Sequence, residues 1–464
     1  MSKVSVIMPS LNVAQYIREC MDSVLGQTLE DIEIIAVDAG SEDGTLEILR
    51  EYEARNSRVR VIVSNQKSYG YQMNLGLDAA QGEYVGIVET DDFIEPDMYR
   101  RLAEAADKFQ LDYVKGYAYE FYDLPRAGRY TYEIARIGGG VLKWGKVVCP
   151  MDMPELLSRD IFLWLGLYRR SFLKEIRFNE TAGAAYQDQG FLLKTLGSAK
   201  RAMYIDVPVY WYRHDNMGAS LYNPKGFHFI QEEYTANEGF LPKLCEEWVA
   251  CFYTRLWEQI YGRYAMMALS GTRWPGIHVS VDMVREKLEA AQGRKQVRYE
   301  ILGATSHALL KLFLLQPGAV YDFCVEMLTP KLERAKQILS WAAEQDVLIY
   351  GAGQWGKFAH ALLAKKGKTR VVAFVDANPD LQGTKMQGID VLAPEEAMHQ
   401  FPEAQYFVAN KEHGGEIEQF LLGNGIEPQR ICRQRIERSP DLLMADYEAW
   451  GERLNVYPKD GGDI

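Results

Sequence analysis

Between Glu83 and Asp97 the chain reads Glu-Tyr-Val-Gly-Ile-Val-Glu-Thr-Asp-Asp-Phe-Ile-Glu-Pro-Asp. No other stretch constrains the fold as much. Its apolar run, Tyr84 to Val88, predicts a buried strand. That strand ends in three acids, Glu89, Asp91 and Asp92. Like charges at the end of a buried strand repel one another and lose solvation. A hard divalent cation resolves the conflict, because Mg²⁺ and Mn²⁺ favour oxygen ligands and bridge carboxylates to phosphates. The plain alternative is a solvated acidic turn. Pro96 stands where a new helix can begin, with Asp97 in its first turn.

The residues before this strand predict a parallel sheet. Val4 to Met8 reads as a short strand closed by Pro9, with Asn12 in the turn and a helix over 14–25. Ile32 to Val37 is a second buried strand ending at Asp38. The turn Asp38-Ala39-Gly40-Ser41-Glu42-Asp43-Gly44-Thr45 leads into a helix through Arg55, with Asp43 as its cap. Val59 to Val63 is a third strand, and a helix over 71–80 returns to the acid-tipped strand. Alternation of strand and helix at this spacing gives an α/β layer fold. Ligands of such sheets bind beyond the carboxyl ends of the strands. Asp38 and the acids at 89–92 therefore share one crevice.

Four motifs in this order carry a resemblance. They are Pro9-x-x-Asn12, the Val37 to Thr45 turn, Asn74-x-Gly76 with Ala80-x-Gly82-Glu83-Tyr84, and Glu89-Thr90-Asp91-Asp92. Together they resemble the family 2 glycosyltransferases of GT-A fold, over about residues 3–220. The resemblance implies a nucleoside diphosphate sugar donor in the crevice, held by Pro9, Asn12, Asp38, Asn74, Glu89 and Asp91. It implies that Asp38 reads the base, usually uracil. It also implies that the acids, Asp91 first with Glu89 and Asp92, hold Mn²⁺ or Mg²⁺ on the diphosphate. Two positions depart from the family pattern. Ala39 stands where a second acid is common, and Glu89 replaces the first Asp of Asp-x-Asp, adding one methylene.

The second half of this region is expected to take the acceptor. Residues 112–145 alternate aromatic and polar residues (Tyr113, Tyr117, Tyr119, Phe121, Tyr130, Tyr132, Ile134). This predicts antiparallel strands with a break at Gly138-Gly139-Gly140. Strand aromatics are more often core than sugar platforms. Further on, Tyr186-Gln187-Asp188-Gln189-Gly190 precedes an apolar helix. The family has a Glu-Asp pair here, and its Asp is the catalytic base. Here the Glu is Gln187 and the base candidate, Asp188, survives; the alternative is a cap for a helix starting at Gly190. A strand over 202–209 leads to Tyr210-Trp211-Tyr212-Arg213-His214-Asp215. Arg213 or His214 is a candidate clamp for the leaving diphosphate, because fixed positive charge there stabilises the transition state. A surface arginine packed on tyrosine rings is the alternative.

Residues 226–340 change to helical period, with long aromatic-rich runs over 241–269, 281–291 and 306–315. The stretch Leu309 to Leu315 fits core better than peripheral contact with a membrane surface, since the chain is acidic and the run is short. At Val347 an α/β pattern restarts. The strand Val347 to Tyr350 is followed by Gly351-Ala352-Gly353-Gln354-Trp355-Gly356, a helix, the strand Val371 to Val375, and Asp376. Strand, Gly-x-Gly-x-x-Gly, helix, strand and acid is the context in which this motif binds nucleotides. Gly351, Gly353, Gly356 and Asp376 therefore form a candidate second nucleotide site, for NAD or another nucleotide. It resembles the small Rossmann-like domains attached to sugar-processing enzymes. The alternative is a glycine turn kept for packing.

The expected organisation is a GT-A catalytic domain over 1–225, a helical region over 226–340, a Rossmann-like domain over 341–436 and a polar tail over 437–464. The chain has 464 residues and 47% hydrophobic content, enough for several cores. Net charge is −12, which argues against a nucleic-acid partner. Six widely spaced cysteines without Cys-x-x-Cys fit reduced thiols in a cytoplasmic protein, with the inner membrane face as a place of action. The function expected is an inverting, metal-dependent glycosyltransferase in cell-surface polysaccharide synthesis. It moves a sugar, in the first instance from a UDP-sugar, to a hydroxyl of a glycan or lipid-linked acceptor. The rival classes are an NAD-dependent sugar oxidoreductase centred on 347–436 and a non-catalytic nucleotide-sugar-binding protein.

Overall fold

A computed structural model describes residues 2–124, 128–133, 142–183, 185–214, 216, 223–271, 273–274, 276–297, 302, 304–364 and 369–436. Residues 134–140, with the expected glycine break, and the tail from 437 lie outside the described residues, as do Asp215 and Pro275.

Four parallel strands come first: β1 (Val4–Ser10), β2 (Ile32–Asp38), β3 (Val59–Val63) and β4 (Tyr84–Ile87), in the order β3-β2-β1-β4. All seven residues of β1 are buried, which is why it reads as a continuous apolar run and not as alternation. The connecting helices are α1 (Ile17–Leu25), α2 (Thr45–Arg55) and α3 (Tyr69–Ala79). Helix α1 buries Ile17, Cys20, Met21 and Val24, one stripe at helical spacing. Helix α3 lies so close to β1 that a Cβ on Gly76 would stand 2.4 Å from Ile7 Cγ2. The Asn74-x-Gly76 motif thus marks a packing contact.

Beyond β4 the sheet becomes mixed. Strand β4 pairs antiparallel with β9 (Gly166–Arg169), and β9 antiparallel with β6 (Tyr113–Leu124). Strand β6 runs parallel to β10 (Ala202–Arg213), and β5 (Phe93–Ile94) closes the path on β10. The expected antiparallel pair is β6 with β7 (Gly128–Glu133), and β8 (Val147–Val148) adds to β10. Tyr113 and Phe121 are core residues, at 1% and 0% exposure. Helices α4 (Met98–Phe109) and α5 (Gln187–Leu196) complete this part. Helix α5 begins at Gln187, so Asp188 sits in its first turn and is not its cap.

A buried polar cluster fixes the segment that leads back into β9. Lys115 Nζ donates to Asp160 Oδ1 (2.7 Å) and to the Phe162 carbonyl (2.9 Å). Asp160 Oδ2 accepts from the Tyr204 hydroxyl (2.6 Å). Burial lowers the Lys115 ammonium's pKa, and Asp160 opposes the shift.

The helical region comprises α6 (Gly226–Asn237), α7 (Glu246–Leu269), α8 (His278–Gly293), α9 (Ala304–Leu315) and α10 (Pro317–Ala342). Its apolar residues join the sheet's in one core cluster running from Val4 to Leu332. Leu309, Leu310, Phe313 and Leu314 are buried in it, as the core reading of that stretch expects, while Leu315 faces outward. Helix α10 leaves that core with Leu332 and enters a second with Ile338 and Ala342. Among the described residues no helix is long and apolar enough to cross a membrane.

The C-terminal unit is a sheet of β11 (Asp346–Tyr350), β12 (Arg370–Val375), β13 (Lys385–Met386), β14 (Ile389–Leu392), β15 (Gln405–Val408) and β16 (Ile431–Cys432). Their order is β13-β14-β12-β11-β15-β16. All pairs are parallel except β13 with β14. Helices α11 (Gln354–Ala364), α12 (Pro394–Gln400) and α13 (Gly414–Gly423) accompany it, and the sheet has one apolar cluster on each face.

Removing one partner of a buried ion pair strands the other charge. Lys115→Met is expected to lower stability by about 3–5 kcal/mol, read as a fall in the thermal unfolding midpoint.

Candidate functional site

The turn after β4 is tied down before it offers any chemistry. Thr90 Oγ1 donates to the Pro9 carbonyl (2.8 Å), and the Glu89 amide donates to the Tyr210 hydroxyl (3.0 Å). Asp92, expected among the metal ligands, is spent on β10. Its Oδ1 accepts from the Arg213 amide (2.7 Å), its Oδ2 from the Tyr210 hydroxyl (2.9 Å), and it is 2% exposed. Burial, then the neighbouring Asp91, pushes its carboxyl well above the usual range.

Glu89 and Asp91 line a cleft with Pro9, Tyr69, Trp164 and Asp188. Glu89 Oε1 accepts from the Tyr69 hydroxyl at 2.6 Å, so the extra methylene reaches α3. Burial raises the Glu89 carboxyl to about 8; Asp91 and Asp188 add to the rise and the Tyr69 bond opposes it. Asp91 Oδ2 accepts from Asn216 Nδ2 (2.7 Å), and its carboxyl is raised by burial. Asp188 is also raised by burial, against hydrogen bonds from Gln189 and the charge of Arg255. Acids left in an apolar environment resist ionisation until a cation or a proton joins them. Among the described residues no three acids, histidines or cysteines converge as a ligand set. The residues that could hold Mg²⁺ or Mn²⁺ in this cleft are the carboxylates of Glu89 and Asp91.

Other expected contacts lie elsewhere. Asp38 is fully buried and closes its own turn. Its Oδ1 accepts from the Gly40 and Ser41 amides (both 2.9 Å) and its Oδ2 from the Ser41 hydroxyl (2.6 Å). Asn12, at φ +54°, pins that turn: its amide donates to Ser41 Oγ and its Oδ1 accepts from the Glu42 amide (both 2.9 Å). Asn74 holds the Phe178 backbone and Glu180. The Arg213 guanidinium faces Asp123 (2.7 Å), Glu19 (2.8 Å) and the Asp91 carbonyl (2.8 Å), between the rings of Tyr16 and Phe121. It braces the acid turn at the Asp91 carbonyl, packed on rings as the alternative expects but buried at 6% exposure and not at the surface. His214 Nε2 is 3.2 Å from Glu120, with its ring on Tyr212.

Sequence reasoning missed Tyr69 and Trp164. Tyr69 had a signal: it opens the helix after β3, at the same sheet end as the acids. Trp164 stacks on Tyr210 at 4.1 Å between centroids, a contact that only the fold brings together. The Gln187 departure also has a structural reason. Its amide donates to the Thr181 and Gly183 carbonyls (3.1 and 3.2 Å), and a glutamate cannot donate.

In the C-terminal unit Asp376 Oδ2 accepts from the Ala352 amide (2.8 Å) and its Oδ1 from the Asn378 amide (2.9 Å). A Cβ on Gly356 would stand 2.0 Å from the Gly351 carbonyl oxygen, and one on Gly351 2.8 Å from that of Ala409. Gly353 has open space around it. Two of the three glycines thus follow the packing alternative, and the acid expected on a ribose is committed to the loop itself.

Residues 5–176 match the family model "Glycosyl transferase family 2". The chain is 34% identical over 247 residues to the "Uncharacterized glycosyltransferase EpsJ" of Bacillus subtilis (strain 168), covering 51% of this chain and 69% of that protein. This chain belongs to glycosyltransferase family 2. A stretch of 94 residues is 42% identical to an Escherichia coli chondroitin synthase, covering 20% of this chain and 14% of that one. Among solved structures, Staphylococcus aureus TarS 1–349 in complex with UDP-GlcNAc aligns with TM-score 0.46 and 19% identity, over 71% of this chain and 92% of that one. Residues 343–432 match a separate model, "C2185-like, N-terminal". The protein is a glycosyltransferase enzyme, and its first sheet is the GT-A-type α/β layer of its fold class.

The raised Glu89 carboxyl has a signed consequence. An acid raised from 4.5 to about 8 on folding contributes stability below the lower value and loses it as pH climbs through the upper one. In chelator-treated protein, the unfolding midpoint of Glu89→Gln should gain on wild type between about pH 5 and pH 8.5. A shift of about 2–4 °C per kcal/mol makes the gain readable by scanning fluorimetry.

Proposed function

We propose that the chain transfers a sugar from a nucleoside diphosphate sugar, in the first instance a UDP-sugar, to a hydroxyl of a glycan or lipid-linked acceptor, with inversion. One observation carries this reading. Asp188 lines the same cleft as the Glu89–Asp91 pair, so a base and a phosphate-facing acid pair share one space. When bound, Mg²⁺ or Mn²⁺ would supply charge neutralisation at the diphosphate. Glu89 and Asp91 are the residues to hold it, Glu89 oriented by Tyr69 and Asp91 by Asn216. Asp188 takes the proton of the acceptor hydroxyl as that oxygen bonds to the sugar's anomeric carbon. The bond from that carbon to the diphosphate breaks on the opposite face, and one displacement inverts the centre. The environment that raises Asp188 makes it a stronger base once ionised.

The synthesis of cell-surface polysaccharide is supported by the match to chondroitin synthase. Free thiols at all six cysteines support action in a reducing compartment, at the cytoplasmic side of the membrane.

Titration calorimetry of UDP, GDP and CDP, each with and without Mn²⁺, tests the donor side. UDP binding is expected to require Mn²⁺ and to weaken at least tenfold in Asp91→Ala, whereas metal-independent binding would remove the acid pair from the reading. On the acceptor side, Asp188→Asn should keep UDP binding and lower turnover by about 10²–10⁴-fold. Wild-type turnover in that variant would dismiss Asp188 as the base.

A further inference from the structure

Glu233 lies on α6, outside the cleft, and is fully buried. Its Oε1 accepts from Asn179 Nδ2 (2.7 Å) and Asn237 Nδ2 (2.9 Å), and its Oε2 from Thr181 Oγ1 (3.1 Å). Lys194 Nζ, from α5, donates to the Asn179 carboxamide oxygen (2.7 Å). Burial lifts the Glu233 carboxyl to about 7, against the bonds from Asn237, Asn179 and Thr181 and the charge of Lys194. Helix α5 comes so near that a Cβ on Gly190 would stand 2.1 Å from Glu233 Oε1. Gly190 is two residues beyond Asp188 on the same helix.

The segment that Glu233 grips is itself a crosspiece. The Thr181 carbonyl accepts from Ser68 Oγ (2.8 Å) and Gln187 Nε2 (3.1 Å). The Gly183 carbonyl accepts from the Tyr69 amide (2.9 Å) and Gln187 Nε2 (3.2 Å). Residues 179–183 thereby join the start of α3, where Tyr69 holds Glu89, to the start of α5, where Asp188 stands.

We infer that Glu233 is a positioning residue that sets the spacing between Asp188 and the Tyr69–Glu89 pair by clamping Asn179 and Thr181 against α5. The inference rests on the reading of Asp188 as the base. Filling space alone needs no carboxylate. An apolar side chain of similar volume would leave the Thr181 hydroxyl without its acceptor and take one of two acceptors from each carboxamide, since Asn179 keeps Asn237 Oδ1 and Asn237 keeps the Glu233 carbonyl, a cost that falls on the crosspiece. A base displaced by about 1 Å loses rate by up to about 10²-fold. The loss falls on kcat, because proton removal belongs to the transition state and donor binding does not.

The test compares Glu233→Leu, Glu233→Gln, Thr181→Val and Asp188→Asn in the full chain. Two quantities are read: UDP affinity with Mn²⁺ by calorimetry, and UDP release from UDP-glucose and UDP-N-acetylglucosamine with water as acceptor. Glu233→Leu is expected to lower kcat at least about tenfold while UDP affinity stays within about twofold. Glu233→Gln should recover most of the rate. Its one oxygen accepts both carboxamides, and its NH₂ donates to the Thr181 hydroxyl. Thr181→Val removes one donor and should lower kcat a few-fold with a smaller fall in the unfolding midpoint than Glu233→Leu, so the test survives if Glu233→Leu does not fold. Wild-type kcat in Thr181→Val and in folded Glu233→Leu, beside an inactive Asp188→Asn, overturns the positioning role alone. A parallel loss of UDP affinity and rate also overturns it. Wild-type release in Asp188→Asn instead takes down the base reading beneath it.

Discussion

Asp92 joins the two halves of the first sheet. Its carboxylate spans from the turn after β4 to the Arg213 amide and the Tyr210 hydroxyl on β10. Strands β1 to β4 arise from one run of sequence and β10 from another more than a hundred residues on. That link adds to the Thr90 bond on the Pro9 carbonyl and to the pairing of β5 with β10 in holding the acid turn against the second half of the sheet. Glu89 is held by its own amide on Tyr210, and the Arg213 guanidinium donates to the Asp91 carbonyl. A buried carboxylate earns its place here through position more than through net stability, since desolvation offsets much of what its hydrogen bonds contribute.

The same economy explains which parts of the site were readable in advance. Fully buried parallel strands announce themselves as unbroken apolar runs, so β1, β2 and β4 and their carboxyl ends were legible, and with them the crevice. The acids at 89–92 stood out because a strand end rarely collects charge. What each polar group touches was not legible. Asp38, Asn12 and Asn74 carry the types and spacing of ligand contacts, yet their atoms are taken up by turn and crosspiece hydrogen bonds. Arg213 looks like a free cation in one dimension. Its partners Glu19 and Asp123 come from distant positions, and only the fold shows them. The departure at Gln187 looked like a weakened pair and is a donor serving two carbonyls.

The C-terminal unit teaches the converse. Its glycine pattern correctly announced strand, turn and helix, because Gly351 and Gly356 answer to close backbone contacts. The pattern says less about a ligand, since the acid that would meet a ribose is folded back onto the Ala352 amide. A motif can be a faithful report of geometry and a silent one about chemistry.

Helix α10 gives the molecule a mechanical property. Its 26 residues span about 39 Å at about 1.5 Å per residue, with one end in the catalytic core and the other in the C-terminal core. Pro330, inside it, removes one backbone hydrogen bond near where the helix passes between cores. The two sheets are therefore joined through one continuous helix and not through a loop, and Pro330 marks the place along it where the backbone ladder is incomplete.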